Sequence, residues 1–130
     1  RHSRLHPQDE SVAYVAECFG DDTPTIAASD YIAAVPEMIQ RWVGGRYTVL
    51  GTDGFGRSDS REALRRFFEV DTGHVVVAVL HALAQEGTIE ASLVAEAIAH
   101  HGLDVDIADP GRHDTVPVPG HSVGREHSAE

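Results

Sequence analysis

The chain has 130 residues, a formal net charge of −11 and 42% apolar residues. This length suits one domain, the apolar content argues against global disorder, and the acidic balance argues against nucleic acid or an anionic membrane as the main partner. We find no apolar run that approaches the roughly 18 residues needed by a membrane-spanning helix.

Lysine and asparagine are absent from the sequence, and cysteine occurs only once. Without lysine, the chain cannot form a Walker phosphate loop or a Schiff base. Without asparagine, it cannot complete any metal or diphosphate motif that requires this residue. Cys18 is the single cysteine, which excludes an internal disulfide and favours a reducing compartment. For Cys18 itself, a buried structural thiol is favoured over a nucleophile.

The first half of the chain predicts a βαβ unit. Residues 8–18 favour a short helix, and an apolar run over 25–28 favours a buried strand. A helix is predicted over 31–43, either kinked at Pro36 or beginning near it, and a second strand over 46–51. Two strands joined by a helix pack in parallel with a right-handed crossover, so the predicted fold class is α/β.

Three helices are predicted in the second half. Asp59 is expected to cap the first, with Glu62 three residues later as in a capping box. Asp71 is expected to cap the second, which runs over 72–86 and is apolar nearly all round. We therefore expect this second helix to be the most buried. The third is predicted over 89–101.

The composition changes after Leu103. From Asp104 to Glu130 the chain is rich in Asp, His, Gly and Pro, and it cannot bury enough apolar surface to offset its ordering entropy. We therefore predict one domain over 1–103 and a disordered tail over 104–130. The nine histidines show no convincing metal-ligand spacing, so no metal site is predicted.

The sharpest local motif is a glycine-rich loop between the second predicted strand and the next helix. Its central residues are Asp53, Gly54, Phe55, Gly56, Arg57 and Ser58. Backbone amides at such a junction can bind phosphate, but Asp53 and Asp59 place negative charge where the anion would lie. The favoured interpretation is a structural loop whose glycines permit positive φ or close backbone approach.

An arginine cluster follows this loop and consists of Arg57, Arg61, Arg65 and Arg66. The favoured interpretation is a solvated helix face balanced by neighbouring carboxylates. The alternative is an ion-paired contact with an acidic partner surface, made by Arg61, Arg65 and Arg66.

One long motif supports a family assignment. Its segments in chain order are LHP at 5–7, AASDY at 27–31, YTVLGTDGFGRSD at 47–59, Leu64, FFEVD at 67–71 and VVVA at 75–78. Together they closely resemble the C-terminal end of the homodimeric bacterial pyruvate dehydrogenases, the decarboxylating first component of the pyruvate dehydrogenase complex. A looser form of the loop recurs in transketolases. The resemblance extends from about Arg4 to Leu103.

For the fold, the resemblance implies a partial three-layer α/β sandwich of the transketolase C-terminal-domain type. Its first strand is missing, which leaves a sheet edge exposed. For the whole enzyme, it implies a cytoplasmic oxidoreductase that uses thiamine diphosphate and magnesium. Such an enzyme decarboxylates pyruvate and transfers the acetyl group to the lipoyl-acyltransferase component.

No catalytic residue of the family carries over to this chain. The family's diphosphate motif is Gly-Asp-Gly with a downstream asparagine, whereas the nearest string here is Thr52-Asp53-Gly54. We therefore expect a structural segment that binds no cofactor alone, with the loop over 53–58 shaping an interdomain contact. Its expected partners are the remaining domains of its subunit, a second subunit and the acyltransferase. The alternative is a stand-alone, non-catalytic interaction module that docks an acidic partner through 57–66.

Overall fold

The computed structural model describes residues 2–9, 11–20, 22–107 and 109–110. Most of the tail predicted from Asp104 lies outside these ranges. The elements within them are α1 (His2–Leu5), α2 (Tyr14–Phe19), β1 (Thr25–Ala28), α3 (Ala34–Glu37), a 3₁₀ helix (Gln40–Trp42), β2 (Tyr47–Leu50), α4 (Arg61–Phe67), α5 (Thr72–Gln85) and α6 (Ala91–His100).

Strands β1 and β2 form a parallel pair, as predicted. The register runs from Thr25 opposite Tyr47 to Ala28 opposite Leu50. Because the two strands point the same way, the segments that follow them leave from one edge of the sheet. The parallel pair, together with the helices, confirms the predicted partial α/β fold.

The core formed by the described residues is small. Its buried hydrophobic side chains belong to Val43, Val70 and Ala82. Helix α5 packs against β1 and against α6. Parallel sheets in complete domains are covered by helices on both faces and have near-continuous apolar strands. Here β2 is half-buried at all four positions, so the described chain covers its sheet incompletely.

Helix α5 is the best buried of the described helices, as predicted. It contains the buried Gly73 and Ala82, whereas α6 contains no buried residue. Asp71 caps it, because its carboxylate accepts a hydrogen bond from the backbone N–H of His74 at 2.9 Å. The chain leaves α5 through Gly87, whose φ of 72° is easily reached by glycine.

Two predicted helices were wrong in part. The helix over 8–18 begins only at Tyr14, because residues 8–13 offer no apolar face and Ala13 makes no side-chain cap bond. The helix over 31–43 is divided into α3 and the 3₁₀ helix. Pro36 explains the late start of α3, since a residue without an N–H is tolerated in the first helical turn.

The cap of α4 is also displaced by one residue from the prediction. Ser60, and not Asp59, is the N-cap residue, because the Ser60 hydroxyl accepts from the backbone N–H of Ala63 at 3.2 Å. Asp59 accepts instead from the backbone N–H of Ser60 at 2.8 Å. Glu62 is therefore not placed to complete the predicted capping box.

The expectation of a buried Cys18 is wrong, because this residue is exposed in α2. Helix α2 contains no buried residue, and Cys18 lies on its exposed side. The periodicity of so short a helix could not reveal this.

By length and composition, Arg61–Gln85 is long and apolar enough to cross a membrane, which departs from our expectation. The structure divides this stretch into α4 and α5. Between them Glu69 has a φ of 58°, and Val70 is only 2% exposed. The core helix of a globular protein passes the same test of length and composition. Helix α5 packs against β1 and α6, with Gly73 and Ala82 buried in these contacts.

Candidate functional site

The candidate site lies where β1 and β2 end. Residues 29–33 follow β1 and residues 51–53 follow β2, so both segments meet at the carboxyl edge of the sheet. In open α/β folds, ligands and contacts gather at this edge. The glycine-rich motif singled out in the sequence belongs to this edge, and we call residues 52–58 the sheet-edge loop.

The base of the sheet-edge loop is held by hydrogen bonds to the segment after β1. The Asp53 carboxylate accepts from the backbone N–H of Ala33 at 3.1 Å. The backbone N–H of Thr52 donates to the carbonyl of Tyr31 at 3.0 Å. A Cβ on Gly51 would lie 2.5 Å from the backbone nitrogen of Ala33, so only glycine permits this approach. Asp53 thus acts as an anchor within the fold.

The tip of the sheet-edge loop presents an aromatic side chain. Gly54 has a φ of 112°, which an L side chain rarely adopts, and Phe55 next to it is 80% exposed. Phe55 lines an open groove of about 490 Å³ together with Arg57 and Leu64. A rigidly anchored loop with an exposed ring at its tip is suited to packing against another surface.

Further apolar side chains are exposed beside the loop. They belong to the segment from the end of β1 through α3 and are Tyr31, Ile32, Val35 and Met38. Tyr31 and the neighbouring Ala33 make the backbone contacts that hold the sheet-edge loop. The base of the loop and the start of this segment are therefore adjacent.

The anion-binding alternative for the loop finds little support in its geometry. The Arg57 guanidinium lies 3.8 Å from the carboxylate of Asp59, and it stacks over the ring of Phe67 at 4.6 Å. Its charge is thus directed to a neighbouring carboxylate and an aromatic face.

Arg61 and Arg65 lie on the open surface of α4. Each approaches the carboxylate of Asp30, at 3.8 Å for Arg61 and 3.7 Å for Arg65. The Arg61 side chain is 82% exposed. Exposed ion pairs at these distances stabilise a fold by less than about 1 kcal/mol. Arg65 also donates to the carbonyl of Val70 at 3.3 Å, so Arg61 is the less engaged of the two.

Arg66 is engaged inside the fold. It donates to the Asp71 carboxylate at 3.1 Å, to the carbonyl of His101 at 3.1 Å, and to the carbonyl of Gly102. These bonds connect the end of α4, the start of α5 and the end of α6, which we call the helical junction. Arg66, a predicted partner contact, therefore has a structural role that its sequence neighbours did not reveal.

Asp71 is the electrostatic centre of the helical junction. Burial favours its neutral form, but hydrogen bonds from the His74 backbone and ring and from Arg66 outweigh this, so the pKa of Asp71 lies below its usual value. The His74 ring nitrogen lies 2.6 Å from the carboxylate. Sequence reasoning found the cap but missed both side-chain partners, although the spacing of three residues between Asp71 and His74 was a usable signal.

The described residues were compared with the needs of a metal ion and of the family's diphosphate motif. Within 2–9, 11–20, 22–107 and 109–110, no three His, Cys, Asp or Glu side chains are grouped so as to hold a metal ion. Asp53, the acidic residue closest to the family's diphosphate motif, is committed to the backbone of Ala33. The described residues therefore do not match the motif that the resemblance associates with thiamine diphosphate and magnesium.

Comparisons with known proteins place this architecture among characterised sequences. The family model described as transketolase-like TK C-terminal domain matches residues 3–71, from α1 to the cap of α5. The chain is 53% identical to the pyruvate dehydrogenase E1 component of Pseudomonas aeruginosa over 113 residues and 46% identical to that of Escherichia coli (strain K12) over 112 residues. Both alignments cover 85% of this chain but only 13% and 12% of those relatives. The chain thus spans about an eighth of the length of the curated relatives it matches.

Proposed function

Because the chain belongs to the family of transketolase-like C-terminal domains, we propose that it is the C-terminal portion of a pyruvate dehydrogenase E1 subunit. The observation that carries this proposal is the 53% identity to the Pseudomonas aeruginosa E1 component over 113 residues. The aligned stretch includes 85% of this chain, so the likeness extends well beyond the loop motif.

The proposal for the whole subunit includes its chemistry and its setting. A homodimeric cytoplasmic enzyme decarboxylates pyruvate and passes the acetyl group to the lipoyl-acyltransferase component. Thiamine diphosphate, when bound with magnesium, supplies the stabilisation of the carbanion in such enzymes. Since this chain lacks asparagine and commits Asp53 to its own backbone, other domains of the subunit would hold the cofactor.

The role of this chain within the subunit is architectural. The two-stranded sheet is incompletely covered, Phe55 at the tip of the sheet-edge loop is 80% exposed, and Met38 directly after α3 is 71% exposed. Burying an aromatic or large aliphatic side chain stabilises a contact by about 1.5–3 kcal/mol. The exposed apolar side chains of the sheet-edge loop and of α3 therefore pack against the remaining domains or a second subunit.

The proposed activity is tested with the polypeptide encoded by the gene that contains this chain. Purified, it should release carbon dioxide from pyruvate only when thiamine diphosphate and magnesium are supplied. The 130-residue chain alone should show no binding of thiamine diphosphate with magnesium in calorimetry. Micromolar binding by the chain alone, or a full-length protein without pyruvate decarboxylation, would contradict the proposal.

The packing role is tested by placing one substitution in two contexts. Phe55→Ser should lower the melting temperature of the full-length protein, because it removes an apolar contact between domains. The same substitution should leave the melting temperature of the 130-residue chain unchanged, since Phe55 is exposed there. Leu93→Ser, at an exposed site on α6, is the matched control. Equal effects of Phe55→Ser in both contexts would exclude the packing role.

A further inference from the structure

The first described helical turn brings two histidines together. His2 begins α1 and His6 directly follows it. The backbone N–H of His6 donates to the carbonyl of His2 at 2.9 Å, which is the hydrogen bond of one α-helical turn. Residues four apart in such a turn lie on the same face. The two imidazole rings are stacked there, with their centroids 4.6 Å apart and their planes inclined by 24°.

A turn after α1 brings a carboxylate to the same place. The backbone N–H of Asp9 donates to the carbonyl of His6 at 3.0 Å, so the chain folds back after the histidine pair. One oxygen of the Asp9 carboxylate then lies 3.3 Å from Nε2 of His2. The hydroxyls of Ser3 and Ser11 are 3.2 Å apart and hold the following segment near the helix. Local contacts therefore place two imidazoles and one carboxylate side by side.

These three side chains are open to solvent. The side chains of His2 and Asp9 are 57% and 60% exposed, and His6 is exposed as well. The contact between His2 and Asp9 contributes little to stability, because it is a pair at the surface. A cation can thus reach the imidazoles without disturbing the core.

The chemistry of these groups selects one class of cation. Two histidines one helical turn apart on the same face are an arrangement that proteins use to bind Zn²⁺. Imidazole nitrogen suits zinc, nickel and copper ions, whereas Mg²⁺ and Ca²⁺ prefer oxygen ligands. A carboxylate beside a metal-binding histidine orients its ring and makes its nitrogen a better ligand. The combination therefore favours a divalent transition-metal ion.

We propose that His2 and His6 together bind one divalent transition-metal ion such as Zn²⁺, and that Asp9 orients His2. Solvent completes the coordination, since the described residues offer no group of three side chains that could hold a metal ion. The proposal departs from the sequence-based expectation of no metal site, because the spacing of this pair is meaningful only where the segment is helical. It goes beyond the architectural function and does not depend on it.

The test titrates Zn²⁺ into the metal-free 130-residue chain at neutral pH, with binding followed by isothermal calorimetry. Every chain in the series carries Cys18→Ser, because an exposed thiol also binds zinc. Saturable binding is expected. His6→Gln should lower the affinity at least about tenfold, because it leaves a single imidazole at the site. His81→Gln with His100→Gln removes two exposed histidines elsewhere and should leave the affinity nearly unchanged.

A second variant tests the spacing of the histidines and not their number. Arg4→His with His6→Gln keeps nine histidines but places the pair two residues apart, on different sides of the helix. Its affinity should fall as far as that of His6→Gln. Asp9→Asn should cause a smaller loss of about threefold, because both imidazoles remain and only the supporting carboxylate is removed.

Histidine footprinting locates the bound ion. Labelling with diethylpyrocarbonate, followed by mass spectrometry, reports how accessible each imidazole is to the reagent. Zn²⁺ should protect His2 and His6 together and leave His81 unchanged.

Four results would overturn the proposal. They are no saturable binding, equal losses in His6→Gln and in the His81→Gln, His100→Gln control, full affinity after the pair is moved, or protection of other histidines alone. Displacement of Zn²⁺ by an equal concentration of Mg²⁺ would identify an oxygen site and would overturn it as well.

Discussion

Helix α4 links two regions of the chain. In one, the polar side chains are paired with each other, and in the other an apolar side chain is left exposed. In the helical junction, Arg66 and Asp71 connect three helices, and Val70 is only 2% exposed. At the sheet edge, backbone contacts fix the loop, but Phe55 at its tip is 80% exposed. The first region pairs its polar groups within the described chain, whereas the second exposes an apolar tip, which is what the proposed interdomain contact requires.

The two regions are held in place by different kinds of interaction. The helical junction is stabilised by side-chain pairs, so variants there should change the stability of the chain alone. The sheet-edge loop is fixed by close backbone approach, so variants at its base should disturb it while variants at its tip should not. This contrast can be tested on the 130-residue chain, with the free energy of unfolding measured by urea titration.

The largest effect is expected at the base of the sheet-edge loop. Gly51→Ala should destabilise the chain by about 3 kcal/mol, because overpacking against backbone is not easily relieved. The added Cβ would lie 2.5 Å from the backbone nitrogen of Ala33. Gly56→Ala is the matched control, since a Cβ there meets nothing within 4 Å. Similar stabilities of the two variants would show that the close approach at Gly51 does not hold the loop.

The next largest effect is expected in the helical junction. Asp71→Ala should destabilise the chain by about 2 kcal/mol, because it removes the N-cap of α5 and the charged partner of Arg66. Asp22→Ala, at an exposed carboxylate, should change the stability by less than about 0.5 kcal/mol. A loss at Asp71 no larger than that at Asp22 would refute the role assigned to the junction.

A smaller effect of opposite sign is expected where α4 ends. Glu69 has a φ of 58° and occupies the position that glycine favours after a helix. Glu69→Gly should therefore stabilise the chain by about 1 kcal/mol. Glu62→Gly, within α4, should destabilise it by about 1 kcal/mol, since glycine there loses more backbone entropy. If both variants lowered the stability equally, strain at Glu69 would be excluded.

The smallest effect is a pH dependence that belongs to the helical junction. Since folding lowers the pKa of Asp71, the unfolded chain binds this proton more tightly than the folded chain does. The stabilisation is present above the unfolded pKa of about 3.9 and is lost as the pH falls through the lower folded pKa. The stability difference between the wild-type chain and Asp71→Asn should shrink across that acid range. A difference that stays constant there would contradict the assignment.

The local elements with strong sequence signals were predicted well. The structure confirms both strands, their parallel pairing and the Asp71 cap of α5. These features could be predicted because each depends on a short apolar run or on a side chain beside its own helix. The break of the predicted 31–43 helix was visible in Pro36, but its final form also depends on distant groups. The Tyr47 hydroxyl donates to the Pro36 carbonyl at 2.8 Å, and the Asp53 carboxylate binds the backbone at Ala33.

The contacts that define the helical junction and the sheet-edge loop could not be predicted from the sequence. Arg66 binds the carbonyl of His101, 35 residues away, and no local pattern predicts such a bond. The exposure of Cys18 and Phe55 depends equally on what packs nearby, whereas residue type alone favours burial. The position of a glycine-rich loop could thus be predicted, but its anchors and its exposed tip required the structure.

The central claim is that the sheet-edge loop and α3 contact parts of a larger subunit, whereas the helical junction is complete. Hydrogen–deuterium exchange tests it most directly, by comparing the 130-residue chain with the full-length protein that contains it. We expect residues 31–38 and 52–58 to gain protection in the full-length protein, and residues 66–74 to exchange alike in both. Equal exchange of the loop in the two proteins, or new protection confined to the junction, would contradict the claim.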